Sequence, residues 1–507
     1  MEASKKKMKF PSAFSILFII LLIAIGLTWL IPSGSYSKLS YDTTENHFIV
    51  KTHGIPDQSY PATEQTLNQL NIKIQLSHFT NDIIKKPIAI PDTYQRIEQH
   101  EKGITDMIHA MVDGTIEVAD IMIFIFILGG MIGVINKTGA FNAGLMSLTK
   151  KTKGNEFSVV FAVCVLMLLG GTACGIEEEA VAFYPILVPV FLALGYDSIV
   201  CVGAIFLAAS MGTAFSTINP FSVVIASNAA GISFTEGMGF RTLGLILGGA
   251  CVIAYMYWYC KKLRANPEFS YTYDDRQVFY DLYMKDIDPN ATVEFTFRRK
   301  LILILFSAAF PLMVWGVMFG GWWFPQMAAS FLAITIIIMF ISGLPEKDVV
   351  NGFTHGASEL VGVALIIGLA RAVNIILEQG MISDTILDYM THLVDGMNGS
   401  VFIIGQLLIF IFLGLVVPSS SGLAVLAMPI MAPLADTVGI PRDIVVSAYN
   451  WGQYIMLFLA PTGLVLVTLQ MLGIPFNKWL KFVMPIVGCQ FVISSILLLT
   501  QVFMYAQ

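Results

Sequence analysis

Charge is what this chain has least of. Only 13% of its 507 residues are Asp, Glu, Lys or Arg, while 56% are hydrophobic. That balance excludes a soluble enzyme with a large core and implies an integral membrane protein. Cysteine is scarce as well. The six present (Cys164, Cys174, Cys201, Cys251, Cys260, Cys489) lie in or at the ends of apolar runs, with no CxxC pair, which argues against a disulfide framework and a thiolate metal centre. The formal charge of −6 comes without any basic domain, so nucleic acid is not an expected partner. HExxH, GxSxG and P-loop signatures are missing, leaving membrane protease, lipase and ATP-driven pump readings without support. The chain therefore reads as no enzyme, with no metal and no cofactor, and with a bilayer and a small molecule as its partners.

What is present is apolar sequence in spanning lengths, near 10–32, 116–136, 238–260, 301–320, 322–343, 357–377 and 480–503. Two longer blocks, 156–233 and 400–473, are interrupted by Gly, Pro and Ser. The first run follows Lys5, Lys6, Lys7 and Lys9 and is long for a signal peptide, with no A-x-A site after it, so it reads as an uncleaved span. Lysine and arginine set the orientation. The N-terminus (1–9), the Lys150/Lys151/Lys153 cluster, the 261–300 loop and Lys478/Lys481 are expected inside, and the 33–108 insert and acidic 378–399 stretch outside. These positions are compatible only if 156–193 and 400–438 each enter and leave on one side. Each arm is about 15 residues, too short to span. The expectation is an all-α polytopic protein with about nine spanning helices, two re-entrant hairpins of opposite orientation and the C-terminus outside.

The two halves echo one another. Pro185, Pro189 and Gly195 recur as Pro429, Pro433 and Gly439 at an offset of 244, and Ile135 and Gly139 as Ile376 and Gly380 at 241. Gly114 and Glu117 match Gly356 and Glu359 at 242, and Asn219-Pro220 sits where Ala460-Pro461 sits. Five spans separate equivalent points, so the repeats are inverted: 10–260 and 321–507, joined by the 261–300 loop and a connecting span at 301–320. Inverted repeats with breaks in corresponding places are the mark of a secondary transporter working by alternating access.

Four breaks are expected to meet at one site. One hairpin tip, Gly170–Glu179, carries Glu177, Glu178 and Glu179 in a strongly apolar stretch, where a carboxylate costs about 2.5–3.5 kcal/mol to insert. The other tip is Pro418-Ser419-Ser420-Ser421-Gly422. Ser216, Thr217 and Asn219 mark the third break, Thr462 and Gly463 the fourth. The plain alternatives are serines that cap or pack helices and glutamates in a solvent loop. Three serines together between Pro and Gly, and glutamates without a polar spacer, favour binding. Consecutive helical residues point about 100° apart, so three glutamates cannot all face one ligand. Adjacent carboxyls also raise each other's pKa, which leaves proton or Na⁺ coupling open. Arg371 reads equally as a partner for a buried acid, such as one of Glu177–Glu179 or Glu359, and as a carboxylate-binding group. His355 reads as structural.

GIEEEAVAFYPILVPVFLALGYDS resembles the G-x-x-E-E-x-x-A-F-y-P signature of the YfcC family of bacterial carriers, as do STINPF, ALIIGLARAVNIILEQGMISDTIL and PSSSGLAVLAMPIMAPL. The resemblance runs from IPSGSY near Ile31 to the last span. FYPILVPV, ARAVNII and GMISDTIL look most like the ArcD-type arginine/ornithine antiporters, with DcuC-type C4-dicarboxylate carriers as wider relatives. It implies a secondary carrier of the bacterial inner membrane, and a homodimer, since related folds often pair. Exchange of a basic amino acid comes first, with Glu178 and Glu179 as the family pair on the cationic group, Glu177 as an extra acid, and the Ser419–Ser421 tip on the α-carboxylate. Coupled carriage of C4-dicarboxylates or short-chain acids is the alternative. Neither tip reads Ser-Asn-Thr, which departs from the sodium-site motif of the superfamily's divalent-anion carriers.

Overall fold

The computed structural model describes residues 13–72, 74–80, 87–177, 179–283, 294–320, 322–394, 396–461 and 463–505. Helix dominates, because a backbone in hydrocarbon must satisfy its own hydrogen bonds. Among the described residues seven helices are long and apolar enough to span: Ala119–Thr138, Met238–Ala265, Phe324–Ser342, Glu346–Gln379, Gly399–Val416, Arg442–Met471 and Phe476–Tyr505.

Several elements differ from expectation. The 33–108 insert ends earlier, because Ile104–Glu117 is a helix leading into Ala119–Thr138, with the break at Val118. The other half has the same device: Glu346–Glu359 and Val361–Gln379 meet at Leu360. The insert also corrects the all-α expectation. It holds a four-stranded antiparallel sheet in the spatial order Gln58–Pro61, His47–Lys51, Lys38–Asp42, Ile88–Ala89. In His47–Lys51 the alternation that escaped a search for apolar runs turns Phe48 and Val50 inward, onto Leu39, Phe79 and Ile88.

The interrupted blocks are helix–break–helix units. Phe157–Cys174 stops at Gly175, whose φ of 67° is the left-handed conformation that ends helices, and a tight turn at Glu179–Phe183 leads to Tyr184–Ala193. Gly399–Val416 is followed by Ser420–Thr437, with Ser419 as N-cap accepting the Gly422 amide at 3.2 Å. Ala208–Ala214 stops before Pro220–Val224, where Asn219 caps and proline fits the first turn. Arg442–Leu459 stops at Ala460, and Gly463–Met471 follows.

Packing follows the same order in both halves. Ile104–Glu117 lies on Val361–Gln379, and Glu346–Glu359 lies on Ala119–Thr138. Phe157–Cys174 packs on Ala208–Ala214, and Gly399–Val416 on Arg442–Leu459. Ala13–Leu30 covers Val361–Gln379 while Phe324–Ser342 covers Ala119–Thr138, and Phe297–Gly320 lies beside Phe324–Ser342. The crossings are backbone-close. A Cβ on Gly133 would sit 2.0 Å from the Gly352 carbonyl oxygen, and one on Gly356 would sit 2.1 Å from that of Gly129. Small residues at such crossings are how membrane helices gain packing contacts without a hydrophobic driving force.

The insert forms a cap tied to one end of the bundle. Ser33 Oγ donates to the Gly380 carbonyl at 2.8 Å, the Gly34 amide to that of Met381 at 2.9 Å, and the Tyr36 amide to Asp384 at 3.0 Å. Tyr36 and Tyr94 hydroxyls reach Asp388 and Thr385 at 3.1 and 2.9 Å. On its other side the cap's small core takes in Val425 of Ser420–Thr437.

Candidate functional site

The breaks enclose a cavity of about 860 Å³. Glu177, Asn219, Ser419, Ser420, Ser421 and Arg371 all line it, together with Asn374, Trp323, Gln453 and Tyr454. Its walls are otherwise apolar, with Ile121, Val181, Phe221, Ile367, Leu457 and Leu464. Size and lining match a small-molecule site: an apolar enclosure with a few placed polar groups.

Backbone breaks position the polar groups. Asn219 accepts the Phe221 amide on Oδ1 at 2.8 Å and donates from Nδ2 to the Gly171 carbonyl at 3.1 Å, tying its break to the first hairpin. The Thr217 amide donates to Thr172 Oγ1 at 3.1 Å. Ser420 Oγ reaches the Phe221 carbonyl at 3.4 Å, and the Tyr449 hydroxyl donates to the Ser420 carbonyl at 2.6 Å. The amino end of Ser420–Thr437 thus opens at the cavity, and helix amino ends favour anions. Glu177 accepts from the Tyr454 hydroxyl at 3.2 Å. Gln453 donates to the Pro418 carbonyl at 3.5 Å, and its buried Oε1 has no hydrogen-bond partner among the described residues.

Arg371 stands at the cavity's edge in two ion pairs, 2.6 Å to Glu117 and 3.2 Å to Glu378. Its partners are therefore not Glu359, which is exposed and 3.5 Å from His355 on its own helix. The reason is geometric: Glu117 precedes the Val118 break in one half and meets Val361–Gln379 from the other half, whereas Glu359 is on the far crossing. Ser216 is fully buried behind the cavity, bonded to Ser222 at 3.0 Å, and Thr217 is likewise outside the lining. Glu178 and Thr462 lie outside the described residues, and of Glu179 and Gly463 only the backbone is described.

Sequence reasoning passed over Asn450, Gln453 and Tyr454. Fully buried Asn450 donates from Nδ2 to the Thr213 and Ala214 carbonyls at 3.0 and 2.8 Å and to Ser216 at 3.2 Å, locking the two broken helices together. The signal was available: YNWGQY is a polar cluster within an apolar helix. Asn374 and Trp323 carried no such signal.

A multi-pass helical bundle around a central cavity lined by broken helices is the architecture of a membrane transporter. The chain belongs to the DcuC family: the model described as C4-dicarboxylate anaerobic carrier matches residues 10–503. It is 76% identical over its whole length, and the whole length of the relative, to an uncharacterized protein of Haemophilus influenzae. It is 27% identical to the putative basic amino acid antiporter YfcC of Escherichia coli, over 96% of each chain. Among solved structures, MtrF of Neisseria gonorrhoeae aligns over 98% of this chain and 96% of its own, at 15% identity and a TM-score of 0.38. The YdaH transporter of Alcanivorax borkumensis aligns over 97% and 99%, at 13% and 0.39, and both scores are too low to establish a shared fold. The chain is a membrane transporter of the DcuC/YfcC type.

Proposed function

We propose that this transporter exchanges a basic amino acid of the arginine/ornithine kind by alternating access. The observation that carries the reading is the two-sided lining of the central cavity, with Glu177 on one tip and the Ser419–Ser421 tip with its helix amino end on the other. A carboxylate suits a guanidinium or ammonium group, and serine hydroxyls at a helix amino end suit an α-carboxylate. Glu178 and Glu179 belong to the same tip and share the cationic end, and Thr462 and Gly463 complete the fourth break. Gln453 supplies a buried acceptor for an N–H donor. The relative whose name reads putative basic amino acid antiporter supports the same substrate class.

The arms Phe157–Cys174 and Gly399–Val416 are 18 residues each, longer than the sequence suggested, and the second is long enough to span. In this reading 156–193 and 400–438 are nonetheless re-entrant hairpins of opposite orientation among about nine spans, and 10–260 and 321–507 are inverted repeats. The matched packing of the two halves supports it. The protein then works in a bacterial inner membrane, as a homodimer, with its N-terminus inside and its C-terminus and cap outside.

A second reading, H⁺- or Na⁺-coupled carriage of a C4-dicarboxylate or short-chain acid, is favoured by Arg371 at the cavity and by the family's description. Counterflow in proteoliposomes separates the two. Arginine and ornithine are expected to drive uptake of labelled arginine; succinate or acetate outcompeting them would sink the amino-acid reading. Glu178→Gln combined with Glu179→Gln abolishes substrate binding in the first reading, and in the second alters only its pH or Na⁺ dependence.

A further inference from the structure

A second cavity of about 280 Å³ lies between the cap and the bundle. Lys38 and Ala89 of the cap face it from one side, and Glu378, Ser383 and Asp384 from the other. It adjoins the central cavity, because Arg371, Asn374, Pro418, Ser419 and Val425 line both. Any solute passing from the cap end to the centre through it meets this group first.

Its charges are unequally committed. Arg371 is held by Glu117 and Glu378. Lys38, exposed on its strand, has no ion pair within 4 Å among the described residues. Asp384 is buried, anchored through one oxygen to the Tyr36 amide, and Lys38 is the opposite charge its carboxylate feels. A cation and an anion thus face one small cavity from two separate elements, with Ser383 and Asn374 beside them. An α-amino acid headgroup presents the complementary pair.

We propose that the cap-side cavity is a second substrate site, which takes the headgroup of a zwitterionic amino acid, its α-carboxylate at Lys38 and its α-ammonium at Asp384 and Glu378, before the solute passes Arg371 to the central cavity. Its volume, at the lower edge of ligand pockets, suits a headgroup and not a large solute. The cap then has a substrate-handling role, supplying the cation of the pair.

The proposal rests on the amino-acid reading above, and the test separates the two. Arginine counterflow is measured in proteoliposomes oriented with the cap outward. Lys38→Gln is expected to raise the apparent KM for external arginine roughly threefold, the scale of one exposed charge contact, with the maximal rate held. Lys38→Glu is expected to raise it further. Lys51→Gln, which removes a cap cation already paired with Asp57 at 3.6 Å, controls for cap charge and leaves KM unchanged. Unaltered KM in both Lys38 variants, or an equal rise in the Lys51 variant, overturns the second site while wild-type exchange still upholds the first reading. Wild-type protein that exchanges no arginine overturns both.

Discussion

Tyr454 and Asn450 lie one helical turn apart; Tyr454 lines the cavity and Asn450 does not. Tyr454 holds Glu177 by a single hydrogen bond. Bonds to charged acceptors are worth about 1.5–3 kcal/mol, so Tyr454→Phe should lower exchange at limiting substrate roughly 10-fold or more, with the melting temperature nearly unchanged. Asn450→Ala does the opposite. It strips a donor from two carbonyls and a hydroxyl in a dry interior, at a cost of about 1–3 kcal/mol, and should appear first as a lower melting temperature in detergent. At this scale the sequence marked the polar atoms that interrupt apolar runs, Glu177 and Ser419–Ser421 among them, but it set Glu177 aside as the extra acid whereas the structure puts it in the cavity lining. The sequence misled for Arg371, because which acid an arginine meets depends on which helices cross.

Elements were legible to the extent that local chemistry defines them. Asn219-Pro220 and Pro418-Ser419 read in the sequence as breaks, and in the structure each starts a helix, through capping and proline's fixed φ. The breaks at Val118 and Leu360 have no Gly or Pro at the break residue itself to announce them. The cap's strands are two to five residues long, below what a search for spanning runs detects. Crossings give the sharpest test of element packing. Gly352→Leu must push a side chain into Ala119–Thr138, where the Gly133 carbonyl already lies 3.2 Å from an added Cβ, and should fail to give a monodisperse protein on size exclusion. Gly362→Ala meets nothing within 4 Å and should purify and exchange like the parent.

For the whole molecule, Ile104–Glu117 packs on Val361–Gln379 and Glu346–Glu359 on Ala119–Thr138, an order that supports the proposed repeat. What the proposed repeat could not give is the cap, which has no counterpart among the described residues of 321–507. Its double attachment has a mechanical consequence. One edge is hydrogen-bonded to the segment after Gln379, while the other keeps Val425 of Ser420–Thr437 inside its own core. If the second tip moves relative to that segment during the cycle, Val425 must leave the cap, exposing a side chain whose burial is worth about 1.5–3 kcal/mol. That is a spring-loaded catch, weighting the closed arrangement by roughly 10- to 100-fold. Val425→Ala weakens the catch, and hydrogen exchange at the cap strands should quicken while the helices beneath keep their protection.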